Sequence, residues 1–211
     1  MFLIFKDLRK RTVIILFLLL LLACLITTPS LALDTYIYEI PDPRQENLWI
    51  NDMADILKPE TENRLNDILN DFNHQYRSEI VIFTVPDASP YQNPKQLAKY
   101  IFNLWHITRI GFVNGALLLI SQQDHSGEII AGFIQDPSDL TPEDRKFQAN
   151  IKKITAIDIS DLLAQENYES GILLGTKELL ALIKDKEYKR CQLFFKNKLL
   201  ARIFDCYFTD N

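Results

Sequence analysis

Two short runs, Glu79 to Val85 and Ala116 to Ser121, are apolar almost without interruption. Each is too short for a globular helix, and neither alternates apolar with polar residues as a half-solvated strand does. Their aliphatic and β-branched content, with Pro86 closing the first, predicts two buried strands. Strands of that kind need cover on both faces, and the neighbouring segments carry it. Pro59 to Ser78 repeats Leu65, Ile68, Leu69, Phe72 and Tyr76 at helical spacing, with Pro59 suited to a first helical turn. Pro94 to His106 sets Leu97, Tyr100, Ile101, Leu104 and Trp105 on one stripe. Gln122 to Gly127 is polar and turn-like, and Glu128 to Phe133 returns as a third strand, so the pair reads as a hairpin. Thr141 is placed to N-cap a third helix, and Asn167 to Ile183 reads as a fourth. Helix, strand, helix, hairpin, helix, helix predicts an α/β fold, one sheet covered by helices on both faces.

The N-terminus is of another kind. Lys6, Arg9, Lys10 and Arg11 precede an unbroken apolar run from Val13 to Ile26, and no charge follows until Asp34. A basic region before a short apolar one is the pattern of a secretory signal. Ser30-Leu31-Ala32 offers small residues for cleavage after Ala32. An uncleaved anchor would use the wider uncharged stretch from Thr12 to Leu33, close to the ~20 residues that span a bilayer. A lipoprotein reading would use Leu21-Leu22-Ala23-Cys24. All three place the rest of the chain outside the cytoplasm, secreted or held at a membrane by its N-terminus, and the leading basic residues favour that orientation. Export permits Cys191 and Cys206 to pair, which their spacing leaves open. The expected organisation is a signal or anchor at 1–32, a domain at 34–183, and a tail at 184–211.

Charge divides along the same lines. Leu33 to Ile183 carries 12 basic and 23 acidic residues, a balance of -11, which repels nucleic acid. Residues 184 to 211 carry seven basic and four acidic residues, a balance of +3. There Leu193, Phe194, Phe195, Leu199, Leu200, Ile203, Phe204, Tyr207 and Phe208 interleave with the basic residues, and many share a broad helical face. A basic amphipathic helix docks on a membrane surface or on a partner; the same residues would also suit a terminal helix packed on its own domain.

Several chemistries are excluded. The 6 glycines stand at least four residues apart, so no GxGxxG or Walker-type loop exists. HExxH, CxxC, GxSxG and Cys-x5-Arg are all absent from the sequence. His74, His106 and His125 have no metal-ligand spacing. Asp52 and Asp55 stand just before the first helix, where they could be metal ligands, acid–base carboxylates, or the turn chemistry for which Asp is common. Trp105 reads as core.

An ordered set of motifs resembles the TPM domain family. Trp49-Ile50-Asn51-Asp52-Met53-Ala54-Asp55-Ile56-Leu57 resembles its V-x-D-x-A-x-x-L, and Glu79-Ile80-Val81-Ile82-Phe83-Thr84-Val85 its strand ending in x-T-V. Ile101-Phe102-Asn103-Leu104-Trp105-His106-Ile107 is similar to L-F-x-x-W-x-I, and Asn114-Gly115-Ala116-Leu117-Leu118-Leu119 to N-G-x-L-L-L. Tyr168-Glu169-Ser170-Gly171 with Gly175 resembles F/Y-x-x-G-x-x-x-G, and Ile40-Pro41-Asp42-Pro43-Arg44 resembles the lead-in of cyanobacterial members. The resemblance covers about residues 36 to 183. It implies a three-layer α/β/α sandwich with a small mixed sheet, on an exported domain held at a membrane in the periplasm or thylakoid lumen. Family members include lumenal proteins linked to photosystem II repair and proteins described as acid phosphatases, and a divalent metal such as Ca²⁺ near an acidic pocket recurs among them. By the resemblance Asp52 and Asp136 are the candidate metal ligands, and Trp105, Asn114, Gly115, Gly132, Gly171 and Gly175 are structural motif positions.

The chain departs from the pattern where chemistry would sit. Val113 replaces the acid before Asn-Gly, Gly132-Phe133-Ile134 replaces Gly-Tyr-Gly, Thr108 replaces the glycine after W-x-I, and His125-Ser126-Gly127 replaces a basic pair. A divalent cation takes several oxygen ligands, so the valine removes one outright. The sequence therefore points first to a non-catalytic assembly, repair or interaction module whose partner is a membrane surface or membrane complex. The alternative is a divalent-metal-dependent phosphatase using Asp52 and Asp136.

Overall fold

The computed structural model describes residues 40–107, 115–132 and 141–195, with side chains as far as residue 185. Residues 1–39, with the expected signal or anchor, lie outside these, as do Asn114, Phe133 and Asp136. The described residues from Asp42 onward belong to one compact unit.

A short 3-10 turn, Pro43–Glu46, leads into strand β1, Ile50–Asp52. Helix α1, Pro59–Tyr76, connects to β2, Glu79–Val85, and α2, Pro94–Leu104, connects to β3, Gly115–Ser121. The hairpin partner β4 is Ser126–Ala131. Helix α3, Pro142–Lys153, runs through one π-helical stretch, Ile154–Asp158, to the short α4, Ser160–Ala164, and α5 spans Tyr168–Phe195. The sheet order is β1-β2-β3-β4, with the first three strands parallel and β4 antiparallel to β3. This is the mixed, helix-covered sheet of an α/β fold.

Pairing fixes the two faces, because residues opposite one another share a side. Val81, Phe83, Leu117 and Leu119 face α2, where the Trp105 ring meets Phe83 edge-on at 5.2 Å. Ile80, Ile82, Leu118 and Ile120 face α1, α5 and the π-helical stretch. Val81 through Phe83 and Ala116 through Ile120 are fully buried, so the unbroken apolar runs follow from cover on both sides. Trp105 is core, as its stripe predicts.

Glycines let the layers close. A Cβ on Gly171 would lie 2.9 Å from Leu163 Cδ2, so this glycine sets how near α5 comes to α4, and one on Gly175 would touch Ile159 and Leu118 of β3, so that glycine sets how near α5 comes to the sheet. Gly132 ends β4 at φ 80, left-handed territory that disfavours any side chain, and its N–H donates to Gly115 O at 3.1 Å.

The element bounds move in places for local reasons. Helix α1 stops at Tyr76 because Arg77 turns left-handed (φ 53) and closes on Asn73 O. β4 begins two residues before the expected Glu128, since Ser121 pairs with Ser126 across a four-residue turn in which His125 takes φ 45. Thr141 forms a complete capping box with Asp144. β1 and the π–α4 stretch carry no periodicity long enough to be read from the sequence. Helix α5 runs through the division expected at residue 184 without a break. Among the described residues, no helix is long and apolar enough to cross a membrane.

Candidate functional site

In an open sheet of parallel strands, functional groups gather where the strands end. Here the ends of β1, β2 and β3 carry Asp52, Thr84 and Ser121, followed by three short connections. The loop from Asp52 to Lys58 is built around the Asp52 carboxylate. Oδ1 accepts the Thr84 hydroxyl and Ile56 N (3.3 Å), and Oδ2 accepts Leu57 N at 2.8 Å. Thr84 Oγ1 in turn accepts Ala54 N at 3.1 Å. Thr84 is fully buried, and a buried hydroxyl inside an apolar strand requires a partner. Asp52 is that partner. The Asp of V-x-D-x-A and the Thr of x-T-V are thus two halves of one fastener joining β1, β2 and the entry to α1. A carboxylate has about four lone-pair sites, and three of Asp52's are occupied.

The same arrangement recurs one loop along. Asp124 Oδ2 accepts Ser121 Oγ at 2.5 Å and Ala88 N at 3.1 Å, which holds the hairpin turn against the β2–α2 loop. Tyr168, at the start of α5, donates its hydroxyl to Gln122 O at 2.8 Å. Its single proton is then used, so His125 Nδ1, also 2.8 Å away, carries a proton and donates to the phenol oxygen. Burial and the nearby Glu166 push the phenol pKa up.

Around Asp52 the edge is acidic. Asp55 is exposed on the loop and Glu62 stands in the first turn of α1. Burial first, and then the charges of Asp52 and Asp55, raise the Glu62 carboxyl above its ordinary range. Glu169 goes the other way: the Thr61 hydroxyl and Lys58, 3.0 Å distant, hold its pKa down. Among the described residues, no three His, Cys, Asp or Glu side chains are grouped so as to hold a metal ion.

The opposite edge, where β1 to β3 begin, is organised by Arg44. Its guanidinium grips Asp42 at 2.6 Å and Glu79 at 2.6 Å and also donates to Trp105 O. The lead-in Asp42-Pro43-Arg44 therefore ties the first turn to the start of β2 and the end of α2.

This polarity separates the predicted site residues. Asp52 lies at the finishing edge. Gly115 and Gly132 meet at the starting edge, with Trp105 ending α2 beside it. β4 ends at that starting edge, where Ala131 pairs with Ala116, about 20 Å from the other end of the seven-residue strand β2. Asp136 and Asn114 themselves lie outside the described residues. Gly171 and Gly175 are packing positions on α5. Thr84 and Glu62 were not singled out from sequence. The signal for Thr84 was present, a lone hydroxyl in a buried run; Glu62 offered none, because its neighbours are supplied by the loop's fold.

Comparison with known proteins agrees with this architecture. Residues 50–182 match the model of the TPM domain. No curated protein matches the chain. Among solved structures, the N-terminal domain of a P. gingivalis protein is similar at a TM-score of 0.53 and 15% identity, covering 71% of this chain and 96% of that one. The N-terminal domain of a Corynebacterium glutamicum protein gives 0.46 and 10%, covering 63% and 78%. At 15% identity the first of these likenesses concerns the fold alone, while the domain match spans more than half of the sequence: this chain belongs to the TPM domain family.

Proposed function

We propose that this protein is exported and membrane-associated, and that its TPM domain is a non-catalytic interaction or assembly module serving a membrane protein complex, photosystem repair being one such setting. The observation that supports it is the commitment of Asp52. Its oxygens secure Thr84, Ile56 and Leu57, so the motif carboxylate expected at a metal serves instead to shape the β1–α1 loop. Val113, where the family pattern has an acid, points the same way.

A second reading has its own support. Asp55 and Glu62 lie near Asp52, and burial first, then the charges of Asp52 and Asp55, raise the Glu62 carboxyl; although no three such side chains among the described residues are grouped to hold a metal ion, a weakly held divalent cation would relieve that crowding. In that reading the domain is a metal-dependent phosphatase, with the metal neutralising phosphoryl charge. Calorimetric titration with Ca²⁺, Mg²⁺ and Mn²⁺, paired with hydrolysis of para-nitrophenyl phosphate, separates the two. The module reading expects neither tight binding nor turnover that depends on Asp52. Micromolar binding and hydrolysis, both lost in Asp52→Asn, would establish the enzyme.

A further inference from the structure

The first turn of α5, Tyr168 to Gly171, serves neither reading of the domain's function. Gly171 seats this turn: its N–H donates to Asn167 O at 3.0 Å, and its missing side chain admits Leu163 of α4. Successive residues on a helix point about 100° apart, so Tyr168 and Glu169 reach two different parts of the finishing edge. Tyr168 reaches the β3–β4 turn, donating to Gln122 O and accepting from His125 Nδ1, both at 2.8 Å. Glu169 reaches the start of α1, where it accepts the Thr61 hydroxyl and pairs with Lys58 Nζ at 3.0 Å. Each part has a local deficit that this turn makes good. Asn93 and Thr141 cap α2 and α3 with their side chains, but Lys58, at the N-cap of α1, makes no side-chain cap bond. The first turn of α1 instead meets the carboxylate of Glu169, 108 residues from Thr61, and negative charge suits that end of a helix. In the β3–β4 turn, His125 holds φ 45, a conformation uncommon outside glycine. The Tyr168 ring lies parallel to its imidazole, and the phenol oxygen holds Nδ1. From there Asp124 carries the contact on to Ala88 N, in the β2–α2 loop, at 3.1 Å.

We infer that the first turn of α5 is a clasp, and that the start of α1, the β3–β4 turn and the β2–α2 loop open and close through it as one cooperative unit. A helical turn moves as a body, so releasing either side chain frees the backbone that positions the other. Local structure alone would let the two sides open separately, since they share no strand and lie far apart in the chain. For either reading of the domain, a partner or ion held at one of these connections is then felt at the others. The Tyr168-x-x-Gly171 spacing serves the clasp directly: the glycine sets the turn against α4, and the tyrosine and its neighbour grip the two sides.

Native-state amide hydrogen exchange of the full chain, followed by NMR across low urea concentrations, tests this. Thr61 N and Glu62 N, which donate to Lys58 O at 2.9 Å, report on the start of α1. Ala88 N and His125 N, bonded at 3.1 Å to Asp124 Oδ2 and Gln122 O, report on the other side. A single unit gives all four amides one opening free energy and one dependence on urea, both below those of the core amides of β2 and β3. Tyr168→Phe keeps the ring and deletes the hydroxyl. Losing one net hydrogen bond should quicken exchange about fivefold, at Thr61 and Glu62 as much as at Ala88 and His125. Thr61→Val, made on the far side, should quicken Ala88 and His125 in turn. The clasp is refuted if the two pairs follow different urea dependences, if either pair exchanges only with the core, or if each variant acts on its own side alone.

Discussion

Replacing Asp52 by Asn tests whether this carboxylate is a fastener or an unfilled ligand. The two readings predict opposite signs for stability without metal. As a fastener, Asp52 accepts one hydroxyl and two backbone N–H groups. Hydrogen bonds to a charged acceptor contribute about 1.5–3 kcal/mol each, and neutral ones about 1. An asparagine keeps one oxygen, so the bonds from Thr84 and Ile56 survive at neutral strength. Its amide nitrogen faces the Leu57 N–H, a donor against a donor, in a residue that is buried. The net loss is roughly 2–3 kcal/mol, a fall of about 5–10 °C in Tm for a chain of this size. As an unfilled ligand crowded by Asp55 and Glu62, Asp52 would instead be relieved by neutralisation, and Tm would hold or rise. Urea and thermal melts of the full chain in chelator provide the assay. Thr84→Val completes the cycle: if the pair acts as one unit, the double variant costs less than the sum of the singles by about 1 kcal/mol. An unchanged or raised Tm in Asp52→Asn would falsify the fastener argument.

Three further outcomes follow from the same geometry. The Glu62 carboxyl is raised above its ordinary pKa, so its contribution is complete below the ordinary carboxylate range and is lost as pH rises through the raised value. Glu62→Gln should therefore stabilise the protein at neutral pH and show no gain in acid, read from melts across pH 3 to 7. Arg44→Met leaves Asp42 and Glu79 without their shared cation in a partly buried setting; a loss of about 2–4 kcal/mol is expected, discounted for partial exposure and measured by urea unfolding. Gly127→Ala places a Cβ 2.9 Å from Ile159 Cδ1 and 3.1 Å from Ile120 and Leu163. Those side chains are fully buried and cannot swing aside, so overpacking should cost about 1–3 kcal/mol, visible as a lower Tm with the fold retained.

What the sequence determined on its own is what depends on local periodicity and composition. Glu79–Val85 is a strand at both predicted ends, and Pro59, Pro94 and Thr141 mark helix starts, because capping and proline geometry act within one turn. The ordered motifs were enough to reach the family. The tertiary structure decided what depends on partners far along the chain. β1 is three residues long and exists as a strand because β2 lies beside it; no period can announce it. Asp52 looks the same in sequence whether it binds a metal or a threonine, and only the adjacency of β1 and β2 brings Thr84, 32 residues away, to its oxygen. The antiparallel return of β4 ends it at the edge opposite Asp52, a consequence of strand direction that spacing does not encode. Asp52, Asp87 and Asp124 come to one edge for the same reason: parallel strands put their ends on one side, while α5 runs against them to Lys184 beside the Tyr76 ring.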